Sequence, residues 1–249
     1  MNKISNLSWV AMCLYFLSGI LFLIFYYIAL PNATYFTQPF FMPLLFLYYF
    51  SRINFNISSI NKWVVIAIVL SWLGDLFMML TPIPEYKNMV MPGIASFLMM
   101  HLLYIKMFFE KSVFKRILSI RAIAIIGLLI IGVGLCNYLF AFLINDKAFL
   151  KIPVLIYTCI ILSMVIVAVL RDENKRISYL LILIGALLFL VSDGALSIHL
   201  FKGAYLPVVV GENVRYLSWT IVGVTYLMAQ FLIIEGLIRS KTTMINKYE

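Results

Sequence analysis

The stretch Trp63–Leu80, WVVIAIVLSWLGDLFMML, decides the fold. At 1.5 Å per residue, its 18 positions make a helix about 27 Å long, close to the roughly 30 Å of hydrocarbon in a bilayer. Its only charged residue is Asp75. A second run, Ile177–Phe201, ISYLLILIGALLFLVSDGALSIHLF, repeats the pattern with Asp193 as its only acid. An ionisable group at such depth costs roughly 2.5–3.5 kcal/mol or more, so it marks a functional site by default.

The rest of the chain has the same character. Hydrophobic residues make up 64% and charged residues 12%. Mean hydropathy is +1.05. The apolar content is divided into segments of about 20 residues instead of forming one core, which predicts an all-α polytopic membrane protein. About eight spans are expected: Leu7–Leu30, Phe36–Phe50, Trp63–Leu80, Met91–Phe109, Arg121–Leu143, Ile152–Leu170, Ile177–Phe201 and Val214–Ile238. The second is short, and Pro39 and Pro43 interrupt its start. No long hydrophilic stretch intervenes, so residues 1–249 read as a single transmembrane domain. The first segment lacks a small-residue cleavage site and reads as a retained helix.

The formal charge of +9 speaks to topology rather than to nucleic acid, because no basic, aromatic-laced soluble surface accompanies it. Basic residues collect in alternate loops. One set holds Lys3, Arg52, Lys62, Lys111, Lys115, Arg116, Arg121, Arg171, Lys175, Arg176, Arg239, Lys241 and Lys247. The other holds Lys87, Lys147, Lys151, Lys202 and Arg215. Lys106 is left to snorkel. The positive-inside rule then predicts that both termini are cytoplasmic, with Trp9 and Trp63 at the inner interface and Trp219 at the outer one. Short loops suit a bacterial cytoplasmic membrane. Cys13, Cys136 and Cys159 lie in apolar segments without a C-x-x-C pair and read as small buried hydrophobes.

This orientation sets depths. Asp75 falls 12 residues after Trp63, about 18 Å in, and Asp193 falls 16 residues after Ile177, about 24 Å in. His101, nine residues after Pro92, lies about 14 Å below the outer face. The two aspartates are thus at depths where they could meet across a bundle. Each of their spans is followed by one with a central polar group, His101 with Tyr104 and Tyr226 with Gln230. The pattern suggests a four-plus-four duplication with parallel halves.

Two readings of the aspartates stand side by side. A carboxylate pair in a low-dielectric cavity would keep one member protonated as an acid and the other ionised as a base or charge stabiliser. Alternatively, each makes an unrelated interhelical hydrogen bond, for which Ser71 and Ser192 are available. His101 is either a packed histidine or a catalytic one. Two aspartates and a histidine can bind a divalent ion, but no H-E-x-x-H or H-x₃-H motif is present and no metal or other cofactor is expected. Tyr226 and Gln230, four apart, share a face and either line the cavity or tie helices together. His199 is off the face of Asp193 and reads as interfacial. Glu235 with Arg239 at i+4 reads as an interfacial salt bridge.

The motifs Leu73-Gly74-Asp75, His101-Leu102-Leu103-Tyr104, Leu188-Phe189-Leu190-Val191-Ser192-Asp193 and Tyr226-x-x-Ala229-Gln230, in this order and spacing, resemble the YhhN-type lysoplasmalogenase family over essentially the whole chain. The resemblance implies an eight-span hydrolase acting on a lysophospholipid with water. It would cleave the vinyl ether bond of lysoplasmalogens to a fatty aldehyde and a glycerophospho-ethanolamine or -choline. It places the paired catalytic acids at Asp75 and Asp193, with His101, Tyr104, Ser192, Tyr226 and Gln230 around them. One departure concerns the head group. The family pattern leads one to expect Lys-Pro near the start of span two, where this chain has Met42-Pro43.

Two other functions use buried acids. A proton-coupled transporter suits intramembrane carboxylates and repeat halves. An intramembrane aspartyl protease is disfavoured. Trp72 stands where a G-x-G-D motif needs its first glycine, and Val191-Ser192-Asp193 replaces Tyr-Asp.

Overall fold

In the computed structural model of the protein, the described residues are 5–28, 36–57, 61–81, 84–109, 119–143, 148, 150–171, 176–202 and 212–245. They form eight α-helices: α1 (Asn6–Tyr27), α2 (Phe41–Arg52), α3 (Lys62–Leu80), α4 (Val90–Phe109), α5 (Ser119–Phe140), α6 (Lys151–Val169), α7 (Arg176–Lys202) and α8 (Glu212–Ile245). All but α2 are long and apolar enough to cross a membrane. The chain is therefore all-helical and carries seven candidate spans.

The second segment differs from expectation. Helix α2 has 12 residues, about 18 Å of rise, which falls short of the hydrocarbon thickness. Proline is the cause. Pro39 sits in a 3₁₀ turn over Gln38–Phe40, and Pro43 occupies the first turn of α2, where its missing N–H costs nothing. Leu30, where the first span was expected to end, lies outside the described residues, as do the side chains of Trp219 and of most loop lysines and arginines.

Helix ends are fixed locally. The Ser5 hydroxyl accepts from Ser8 N (3.2 Å) and the Asn61 side chain from Trp63 N (3.1 Å), which caps α1 and α3. At the end of α4, the Arg171 guanidinium donates to the carbonyls of Met107 (3.2 Å) and Phe108 (3.4 Å), groups a helix C-terminus leaves unpaired. The Lys106 ammonium lies 3.6 Å from the centre of the Trp63 ring. Arg52, Trp63, Lys106, Arg171 and Arg239 thus share one end of the bundle.

Packing runs through small residues, because lipid tails give apolar side chains little reason to leave them for one another. The most extensive pairing is α7 with α8, then α3 with α4. A Cβ on Gly185 would stand 2.8 Å from Ile233 Cγ1 and 3.0 Å from the Ala229 carbonyl oxygen. One on Gly236 would stand 2.6 Å from Ile182 Cγ1, and Ser178 Oγ donates to the Gly236 carbonyl (2.7 Å). Helix α8 is central, with 61% of its crossing stretch buried, against 22% for α5. The outer face of α5, with Ile123, Ile126, Ile130 and Val133, is left to lipid. Cys136 is buried as expected. Cys13 and Cys159 are exposed and face outward, because each falls on the outer side of its helix.

Glu235 makes the expected i,i+4 salt bridge with Arg239 (2.6 Å), and its side chain is buried within the bundle. Arg52 forms an ion pair with it at 2.9 Å, and the Tyr48 hydroxyl donates to it at 2.8 Å. This cluster locks α2 onto α8.

Candidate active site within the bundle

The two aspartates occupy different surroundings. Asp75 is 5% exposed and enclosed between α3, α4 and α8. The Tyr226 hydroxyl donates to its Oδ2 at 3.0 Å. One turn away, Gln230 Nε2 donates to Ser71 Oγ (2.8 Å), while Gln230 Oε1 accepts from the Tyr104 hydroxyl (2.6 Å). Ser71 and Asp75 are four apart on α3, as are Gln230 and Tyr226 on α8. The two i, i+4 pairs therefore align as rungs between antiparallel helices. Gly74 allows α4 to come close, since a Cβ there would stand 2.7 Å from the Phe97 ring.

Asp193 faces open space. It lines a largely apolar cavity of about 370 Å³, within the range of ligand pockets. The walls come from the ends of α3, α4, α6 and α7 remote from the basic end, with Met78, Ile94, Phe97, Val154 and Leu196 among them. The Tyr157 hydroxyl, from α6, donates to Asp193 Oδ2 at 2.5 Å and also lines the cavity. His101 Nε2 stands 3.5 Å from the same oxygen. That is a close approach but not a hydrogen bond, and among the described residues neither ring nitrogen has a hydrogen-bond partner.

The two carboxylates do not bond to each other. A row of rings lies between them. Tyr226 packs edge-on to Phe189 (centroids 5.7 Å), Phe189 edge-on to His101 (5.1 Å), and His101 edge-on to Tyr157 (5.7 Å). Phe97 adds a further edge-on contact to Tyr226 (6.0 Å) and lines the cavity on its other side. Of the two arrangements their depths allowed, the carboxylates take the separate one, on either side of an aromatic partition.

The other expected residues divide. Tyr104 and Gln230 are fully buried and bonded to each other, so they tie α3, α4 and α8 together and do not line this cavity. Ser192 donates to the Val222 carbonyl (3.3 Å), joining α7 to α8. Neither serine bonds an aspartate, and tyrosines do so instead. Met42, standing where Lys-Pro was expected, is fully buried in the apolar core. Tyr157 went unnoticed in the sequence. A lone tyrosine in an apolar run carries no signal, and its partner lies 36 positions away. Among the described residues, no cluster of three or more metal-ligating side chains occurs.

No curated protein and no solved structure matches the chain. The model of the YhhN family matches residues 33–237, most of the length, and the chain belongs to that family.

Proposed function

We propose that this YhhN-family membrane protein is a lysoplasmalogenase-type hydrolase. Its substrate would be a lysophospholipid bearing a vinyl ether, and its products a fatty aldehyde and a glycerophospho-base. The observation that carries this reading is Asp193, a carboxyl group in the wall of a largely apolar cavity. A single-chain lipid can place its alkyl chain against Met78, Ile94 and Leu196 and its ether near Asp193. The substrate would come from the surrounding bilayer, in a bacterial cytoplasmic membrane.

The reaction asks little beyond acid and base. Protonation of the vinyl β-carbon by a carboxylic acid gives an oxocarbenium ion. The carboxylate left behind stabilises that cation and takes a proton from the attacking water, as acid pairs do at glycosidic bonds. The hemiacetal then collapses to aldehyde and alcohol. Asp75 does not line the cavity; it stands behind the aromatic partition and, in this reading, acts through Tyr226, which it holds in that partition. No step calls for a metal or an organic cofactor.

The test is aldehyde release from a vinyl-ether lysophospholipid by the purified protein, beside Asp75→Asn and Asp193→Asn. Activity is expected in the unaltered protein, with near-complete loss in each variant and folding intact. No aldehyde from well-folded protein, with ethanolamine and choline head groups alike, would remove this substrate. Ester lysolipids and then solute transport into proteoliposomes would be tried next.

A further inference from the structure

The two oxygens of Asp193 are not equivalent. Oδ2 accepts the Tyr157 hydroxyl at 2.5 Å and lies 3.5 Å from His101 Nε2. Among the described residues, none bonds Oδ1. Tyr157 reaches Asp193 from α6 and shares the cavity wall with it, so the bond is made at the place where a ligand would meet the acid. Edge-on packing against His101 holds the tyrosine ring in register. A phenol that donates to one carboxyl oxygen leaves the acidic proton to the other.

We propose that Tyr157 is a positioning residue for the reaction. By donating to Asp193 Oδ2 it directs the proton of Asp193 to Oδ1, the oxygen that protonates the substrate. This rests on the hydrolase reading and deepens it, since it makes Asp193 and not Asp75 the proton donor.

The step balances as follows. The O–H bond at Asp193 Oδ1 breaks, and the π electrons of the vinyl group form the new C–H bond at the β-carbon. The ether oxygen lone pair forms the C=O⁺ bond at the α-carbon, and Asp193 becomes a carboxylate with Oδ2 still bonded to Tyr157. Water then adds to the α-carbon and gives its proton back to Oδ1. Cleavage of the hemiacetal C–O bond sends its electrons to the glycerol oxygen, which takes up the hydroxyl proton. The acid is regenerated, and nothing is oxidised or reduced. Tyr157 keeps its own proton throughout.

The experiment uses the full chain in proteoliposomes, with Tyr157→Phe and with 3-fluorotyrosine at position 157. The fluorinated side chain keeps the ring and its packing but makes the phenol a stronger donor. Steady-state kinetics on a vinyl-ether lysophospholipid are combined with infrared spectra of the carboxyl band that Asp193→Asn removes. Tyr157→Phe should lower kcat roughly ten- to a hundredfold, the range for losing a hydrogen bond to a charged group. KM should stay within about twofold, because the hydroxyl bonds the acid and not the lipid. The Asp193 band should shift in both Tyr157 variants, in opposite directions. A kcat unchanged in both, or a loss expressed in KM alone, would overturn the proposal. So would a band that ignores the substitution, a readout independent of substrate. If Tyr157→Phe fails to fold, the fluorinated protein decides by the same kinetic and spectral criteria. No aldehyde from unaltered protein whose Asp193 band does shift would overturn the hydrolase reading, and the catalytic role of Tyr157 with it.

Discussion

Asp75 and Asp193 are the same residue in two candidate spans, both buried, yet one is enclosed and the other lines a cavity. Asp75 accepts from Tyr226 in an enclosed site, one turn from a Tyr104–Gln230–Ser71 chain of hydrogen bonds. Asp193 has, among the described residues, one bonded partner, Tyr157, and it lines an apolar cavity. The contacts are reciprocal in helix order, with α3 meeting α8 and α7 meeting α4. The difference teaches that two acids equally hidden from solvent can have different surroundings, one enclosed by packed helices and one with a free side on a cavity.

The largest effect that would break this comparison is kinetic. Asp193→Asn should reduce aldehyde release by at least about a thousandfold while leaving thermal stability in detergent near that of the unaltered protein, since general acid catalysis is worth roughly 10²–10⁴. A residual rate within tenfold would show that the cavity-lining acid is not the reacting one. Next in size is the cluster at the basic end. Glu235→Ala strands Arg52 in the interior and should destabilise the fold by about 3–5 kcal/mol, read from denaturation in micelles. The rate per folded molecule should stay unaltered. A smaller loss belongs to the hydrogen-bond chain. Gln230→Ala leaves the buried hydroxyls of Ser71 and Tyr104 without their shared partner, for about 1–3 kcal/mol. Smallest is the contrast between two truncations. Asp75→Ala orphans the enclosed Tyr226 hydroxyl and should cost about 1–2 kcal/mol more in stability than Asp193→Ala, because Tyr157 can turn its hydroxyl into the cavity. Equal costs would erase the distinction between enclosed and cavity-lining.

Much of this was legible in the chain because the bilayer makes polar residues conspicuous. Asp75, Asp193 and His101 stand out in apolar runs, and all three surround the partition beside the cavity. Tyr226 and Gln230 were correctly placed on one face by their spacing, although spacing alone left open whether they lined a cavity or tied helices. Three features were not legible. Tyr157 is chemically ordinary until a fold brings it to Asp193. Arg52 and Glu235 are 183 positions apart, so only the local Arg239 pairing could be read. The length of α2 depended on how Pro39 and Pro43 partition one apolar segment between a 3₁₀ turn and a helix.

The Phe189 ring decides whether the two acids can exchange a proton. Tyr226 and His101 could each relay one, but the ring that touches both offers neither a donor nor an acceptor. The sequence Asp75, Tyr226, Phe189, His101, Asp193 is therefore a wire with one insulating link. The two carboxyls should titrate independently of each other, and Phe189→Tyr or Phe189→His is the change that would couple them.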